Sequence, residues 1–267
     1  MEDNTFGSTK PATSYIVIPA RLESTRLPRK LLLSETGQPV IQHTYEAASQ
    51  SSKVAGVCVA ADHTEIAKAV HAFGGRVVMT SPSARSGTDR VAEVAESLTG
   101  VDIIVNVQGD EPEIAVQAID LVVDLLQRNP SAVMSTVATP IRDAEKLHDP
   151  ACVKAVFDDH GKALYFSRAA IPHVRDWNEQ LLDDSQPHFF QHLGLYAYRR
   201  DFLLKLATLP QSDAEKLENL EQLRVLAAGH TILVGTVDEP TAGIDTAADY
   251  RAFVSRHHQR RMAAKAA

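Results

Sequence analysis

From Tyr15 onward the chain alternates short runs of β-branched and aliphatic residues with longer segments that carry an apolar residue every third or fourth position. A period near two followed by a period near 3.6, repeated along a chain, is the pattern of β-α units, and such units fold around a mostly parallel sheet. Strands are expected at Tyr15–Ala20, Gly56–Ala61, Arg76–Thr80, Asp102–Val107 and Ala132–Ala138. Helices are expected at Pro39–Ser49, Thr64–Phe73, Thr88–Leu98 and Ile114–Gln127. The first of these opens on a proline at a position where the missing N–H costs little.

The pattern changes near the middle. Val153–Phe157 and Ala163–Ser167 flank the turn-rich Asp158–Gly161, which reads as a β-hairpin and opens a smaller lobe over about residues 151–200. Beyond it the reading is strand at His188–Arg199, helix at Lys216–Ala228 ended by Gly229, buried strand at Thr231–Val237 and helix from Thr246 to about His258. On the Lys216–Ala228 helix, Leu217, Leu220, Leu223 and Leu226 fall on one buried stripe. The basic residues after it read as a solvated terminus, and Met1 to Ser14, polar and small, as a flexible leader without the apolar core of a signal peptide. Residues 15–267 then form one domain, long enough to bury a substantial core.

A formal net charge of −7 argues against a nucleic-acid binder, which presents a basic footprint to phosphates. No stretch approaches the roughly 18 to 20 apolar residues that a membrane span needs. The two cysteines, Cys58 and Cys152, make no CxxC or zinc-like spacing, so a cytoplasmic location is expected.

Against that acidic background, the segment from Arg21 to Lys30 holds four cations and one anion in ten residues. It follows the first strand directly, at the sheet edge where ligands of α/β proteins gather, and forked guanidinium donors suit phosphate oxygens. The bland reading is a solvated basic face. Neither GxxxxGK[ST] nor GxGxxG occurs.

Seven blocks now carry a resemblance: Ile18–Lys30 (IPARLESTRLPRK), Ser86–Glu93 (SGTDRVAE), Asn106–Pro112 (NVQGDEP), Tyr165–Pro172 (YFSRAAIP), His192–Arg199 (HLGLYAYR), Leu220–Leu226 (LEQLRVL) and Gly243–Thr246 (GIDT). In this order the chain resembles the CMP-Kdo synthetases, the 3-deoxy-manno-octulosonate cytidylyltransferases. The resemblance implies an α/β/α nucleotidyltransferase-type, Rossmann-like sandwich with a smaller β-containing lobe, a homodimer, and CTP and the eight-carbon sugar acid Kdo as substrates. Two departures stand out: Arg29 where glycine is common, placing a bulky cation beside the triphosphate, and Ala247-Ala248 where Pro-Glu often follows.

The resemblance also implies residue roles. Arg21 and Lys30 would hold the triphosphate, with Ser24 and Arg26 nearby, and Ser86 and Thr88 would line the cytidine pocket. Asp110 and Asp245 would be the protein ligands of Mg²⁺, a hard cation that prefers oxygen. Read alone, Asp110 is equally a turn former and Asp245 a helix N-cap. Gln108, Arg168, His192, Tyr196, Glu218 and Gln222 are implied for the sugar acid, with Arg168 on its carboxylate and with Glu218 and Gln222 four apart on one helix face. His192 and Tyr196 also suit purely structural roles, and Tyr165 and Tyr198 are expected to pack. The rival readings are CMP activation of sialic acid or an amino analogue of Kdo, and a non-catalytic nucleotide-binding module.

Overall fold

The structure, a computed structural model, describes residues 12–238 and 242–266. Its strands are β1 (Ser14–Ala20), β2 (Val57–Ala61), β3 (Val77–Met79), β4 (Ile103–Asn106), β5 (Met134–Pro140), β6 (Lys154–Phe157), β7 (Ala163–Ser167), β8 (Phe190–Arg199) and β9 (Ile232–Thr236). Its helices are α1 (Val40–Ala48), α2 (Thr64–Ala72), α3 (Gly87–Ser97), α4 (Val116–Arg128), α5 (Ala144–His148), α6 (Arg200–Leu206), α7 (Asp213–Glu218), α8 (Gln222–Ala227) and α9 (Ala247–Ala266).

The main sheet runs β3-β2-β1-β4-β8-β5-β9. β1 is parallel to β2 and β4, β2 to β3, and β5 to β9, whereas β8 is antiparallel to both β4 and β5. The sheet is therefore mostly parallel with one reversed strand. The β6–β7 hairpin pairs antiparallel and touches the sheet through Lys154 opposite Gln191 of β8.

Alternation along the strands sends side chains to two separate cores. Ile16, Ile18, Val59, Ile103 and Val105 face a layer that includes Val40, Ile41, Ile119, Val122 and Phe253, contributed by α1, α4 and α9. Tyr15, Val17, Cys58, Ala60 and Ile104 face the opposite layer, where Val91, Val94, Phe202, Leu203 and Leu223 come from α3, α6 and α8. Both faces being buried explains why the strands read as continuous apolar runs. A third, smaller cluster of Ile141, Leu147, Cys152, Leu182 and Phe189 lies under the segment between β5 and β8.

The chain leaves β1 for β2 and β3 on one side and returns to β4 on the other. The carboxyl ends of β1 and β4 therefore flank the point where strand order reverses, the usual ligand position in an open α/β sheet.

Several expectations are corrected. The single helix expected over Lys216–Ala228 is two helices, because Asn219 adopts the left-handed conformation (φ 52°) and stops α7. Asn tolerates that region better than other non-glycine residues. The break rotates Leu217 out of the stripe, leaving it 88% exposed while Leu220 and Leu223 stay buried. Tyr165 does not pack inward and is 40% exposed, whereas Tyr198 is buried. The last helix runs on to Ala266, and its basic residues are not simply solvated: Arg256 and Arg260 pair with Glu113. Most of the expected leader, residues 1–11, lies outside the described residues, but Ser14 belongs to β1 and the Thr13 N–H bonds Asp102 at 2.8 Å.

Candidate active site

The loop leaving β1 ends in a single 3-10 turn, Lys30–Leu32, entered through Arg29 in the left-handed region (φ 56°). That region favours glycine, so Arg29 keeps a conformation in which its side chain is strained. Its guanidinium turns to Glu65 of α2. The turn delivers the next residue, Lys30, to the switch point.

Lys30 gathers the two candidate metal ligands. Its Nζ bonds Asp110, which follows β4, and reaches Asp245 Oδ1 at 3.1 Å and the Ile244 carbonyl at 3.0 Å. The Ile244 N–H donates to the Asp110 carbonyl at 2.8 Å, so the two loops are stitched directly. Arg26 pairs with the same Asp245 oxygen at 3.0 Å. Capping of α9 falls to Thr246 rather than Asp245: Thr246 Oγ1 accepts from the Asp249 N–H at 3.2 Å, and the Asp249 carboxylate accepts from the N–H groups of Asp245 and Thr246. This reciprocal cap leaves the Asp245 carboxylate turned to the cations.

Two hard carboxylates with no third His, Cys, Asp or Glu grouped beside them, among the described residues, are too few for a protein-only metal cage. They fit Mg²⁺, which usually takes one or two carboxylates and completes its shell with water and phosphate oxygens.

A cleft of about 260 Å³ opens here, lined by Arg21, Ser24, Lys30, Ser86, Gln108 and Asp110 among others. A second cleft of about 220 Å³ adjoins it, shares Ser86, Gly87 and Gln108, and is lined further by Thr88, Tyr196, Tyr198, Glu221 and Gln222. Thr88 thus faces the second cleft, while Ser86 stands on the boundary. Ser86 is the N-cap of α3, accepting from the Asp89 N–H at 3.1 Å, so a helix N-terminus points at the junction. Such a terminus favours negative charge.

Arg168, His192 and Glu218 line neither cleft but form the support behind the second. Glu218 ends α7 and Gln222 begins α8, so they do not share a helix face; the Asn219 break separates them. Glu218 instead holds the end of β7, accepting from Ser167 Oγ at 2.6 Å and the Arg168 N–H at 2.9 Å. Arg168 donates Nε to the Glu218 carbonyl at 2.7 Å and Nη1 to the Pro150 carbonyl at 3.0 Å. His192 lies between Thr136 Oγ1 at 2.9 Å and Gln222 Nε2 at 3.5 Å. Burial pushes the His192 pKa down to about 3, so the ring is neutral. Burial, reinforced by Glu221, pushes the Tyr196 phenol up and keeps it protonated.

Two participants escape sequence reading. Arg90 of α3 lines the first cleft and is buried, bonding Thr80 Oγ1 at 2.6 Å and Asp62 at 3.5 Å. Asp62 in turn accepts from the Leu22 N–H at 3.0 Å, anchoring the basic loop. A charged residue on an otherwise apolar helix face was the available signal. Glu221 lines the second cleft; burial raises its carboxyl pKa against hydrogen bonds from Thr88 and Ser86.

Comparison with known proteins adds an independent line. A family model described as cytidylyltransferase matches residues 15–232. A 3-deoxy-manno-octulosonate cytidylyltransferase of Rhodopirellula baltica is 52% identical over 242 residues, 90% of this chain and 97% of that protein. One from Geotalea uraniireducens is 46% identical, again over 90% of this chain and 97% of the relative. Among solved structures, a CMP:2-keto-3-deoxy-manno-octonic acid synthetase complexed with CTP superposes with a TM-score of 0.86 at 39% identity, covering 93% of this chain and all of that one. A 4-diphosphocytidyl-2C-methyl-D-erythritol synthase from Anaerococcus prevotii, 12% identical with a TM-score of 0.62, shares the fold.

Proposed function

Because the chain belongs to the cytidylyltransferase family, and within it to the 3-deoxy-manno-octulosonate cytidylyltransferases, we propose that it makes CMP-Kdo and pyrophosphate from CTP and Kdo. The observation that carries this reading is the convergence of Lys30, Asp110 and Asp245 at the reversal point of the sheet, beside a second polar and aromatic cleft.

In the proposed reaction the anomeric hydroxyl of Kdo attacks the α-phosphorus of CTP in line; the new P–O bond forms as the bond to pyrophosphate breaks, and the hydroxyl proton is lost to water. Arg21 and Lys30 neutralise the triphosphate, with Ser24 and Arg26 beside them, so that charge moving onto pyrophosphate meets fixed cations. Ser86, on the boundary of the two clefts, faces the cytidine half, and Thr88, in the lining of the second cleft, stands where the two substrates meet. Asp110 and Asp245 would hold Mg²⁺, which when bound supplies Lewis-acid stabilisation of the phosphate oxygens.

Kdo then occupies the second cleft. Gln108, shared by both clefts, Tyr196 and Gln222 hydrogen-bond the sugar and neutral His192 orients Gln222; Arg168, half-buried behind this cleft rather than in its lining, meets the carboxylate at the cleft's edge while Glu218 fixes Arg168. Positioning two anionic reactants at one junction accounts for most of the acceleration. We further propose a cytoplasmic homodimer whose product feeds lipopolysaccharide synthesis, with the β6–β7 hairpin and the segment that follows it as the smaller lobe; the lobe stops short of residue 200, because β8 (Phe190–Arg199) is a central strand of the main sheet. No helix among the described residues is long and apolar enough to cross a membrane.

Incubating the purified protein with CTP, Mg²⁺ and, separately, Kdo, 8-amino-Kdo and sialic acid while following pyrophosphate tests the reading. Release with Kdo is expected. Release with sialic acid but not Kdo would reassign the substrate, and none with any acid would leave a nucleotide-binding module.

A further inference from the structure

Lys154 opens β6 and is 0% exposed. Burying an ammonium is costly unless its hydrogen bonds are met. Here all three are: Nζ donates to the carbonyls of Asp149 at 2.9 Å, Cys152 at 2.5 Å and Arg168 at 2.7 Å. Three acceptors use every N–H that a charged lysine offers. An apolar side chain would fill the same space without that desolvation penalty, so what the charge contributes is direction.

The direction leads to Arg168. Lys154 holds the Arg168 carbonyl itself and also the carbonyls of Asp149 and Cys152 in the loop that carries Pro150, whose own carbonyl accepts Arg168 Nη1 at 3.0 Å. Glu218 holds the same residue from the opposite side, through its N–H and Nε. We propose that Lys154 is a positioning residue for the sugar acid: by clasping the 149–152 loop and the end of β7 together, it fixes the guanidinium that receives the substrate carboxylate. This rests on the assignment of Arg168 to that carboxylate.

The test is steady-state kinetics on the full chain for Lys154→Met, Arg168→Ala and the double variant, with KM determined separately for Kdo and CTP. Lys154→Met should raise the KM for Kdo roughly tenfold, the scale of losing a charged hydrogen-bond set, while the KM for CTP stays within about twofold. In the Arg168→Ala background the same change should add less than about twofold. Equal rises in both KM values, or full additivity in the double variant, would overturn the proposal by showing a merely structural role. An unchanged KM for Kdo in Arg168→Ala would instead remove the underlying assignment, an outcome distinct from Arg168→Ala responding while Lys154→Met does not. If the methionine variant does not fold, Lys154→Gln, which keeps two N–H donors, should give an intermediate rise, and no rise would refute the idea.

Discussion

The placement of α8, and with it Gln222, depends on one buried ion pair. Arg224, 8% exposed, donates Nε and Nη2 to the two oxygens of Glu215, 4% exposed, at 2.8 and 2.6 Å, and Nη1 to the carbonyls of Leu206 and Leu209. One guanidinium thus joins α6, α7 and α8. Glu215→Ala leaves that buried cation without a counter-ion, a loss of about 3–5 kcal/mol. With an unfolding entropy of about 2.1 cal/mol/K per residue, a 267-residue chain loses about 2 °C for each kcal/mol, so the Tm should fall by roughly 5–10 °C. Replacing both residues by methionine removes the uncompensated charge and should restore most of the loss. Burial alone would raise the Glu215 pKa, but hydrogen bonds and charge from Arg224 outweigh it and hold the carboxyl below its usual range. The pair's contribution is therefore present above the ordinary glutamate value of about 4.3 and is lost as pH falls through the lower folded value. Calorimetry on the three proteins checks this; a single variant within 1 °C of the parent, or a double variant as unstable as the single, refutes the reasoning.

Lys30→Met should lower kcat for pyrophosphate release by roughly 10²- to 10³-fold, the scale of removing one preorganised charge-stabilising donor; full activity would eliminate Lys30 from the chemistry. Arg29→Gly relieves about 1–2 kcal/mol of left-handed strain while losing an exposed ion pair and roughly 0.5–1 kcal/mol to unfolded-chain entropy. Stability by urea titration should therefore change by less than about 1 kcal/mol, with the KM for CTP within about twofold; a tenfold KM change would place the guanidinium on the nucleotide after all. His192, with a folded pKa near 3 against an ordinary 6.5, binds a proton in the unfolded chain before the folded one. The parent should lose stability as pH falls below about 6.5, by up to about 1.4 kcal/mol per unit, and His192→Gln should lack that slope in urea titrations at pH 6.5 and 5.

The sheet and its two helix layers were legible because both faces are buried, so the strands β1, β2 and β4 announce themselves as unbroken apolar runs bounded by turns. The basic loop was legible because its charge opposes that of the whole chain. What failed was local. An apolar period over Lys216–Ala228 does not reveal that Asn219 leaves the helix, since each half keeps helical spacing, and the break alone separates Glu218 from Gln222. Arg90 showed only as a charge on an apolar helix face and Lys154 as a charge in an apolar strand; their roles lie in partners distant in sequence, Asp62 and the Arg168 carbonyl.

The charge balance at the reversal point explains why Lys30 and the aspartates belong together. Asp110 and Asp245 bring two negative charges, and Lys30 and Arg26 answer with two positive ones, so the cluster is neutral by itself. On the proposed function, a polyanionic triphosphate entering the adjacent cleft would compete for both cations and leave the carboxylates facing phosphate oxygens, a repulsive arrangement. Arg21 and the N-terminus of α3 offset part of that charge but touch neither aspartate. A divalent cation held by the two carboxylates would remove that conflict, a physical reason for the proposed metal dependence that does not lean on resemblance. It also requires affinity for Mg²⁺ and for nucleotide to rise together, so isothermal titration should find Mg²⁺ binding strengthened by CTP and the effect abolished in Asp245→Asn; independent binding would mean that the aspartates serve Lys30 alone.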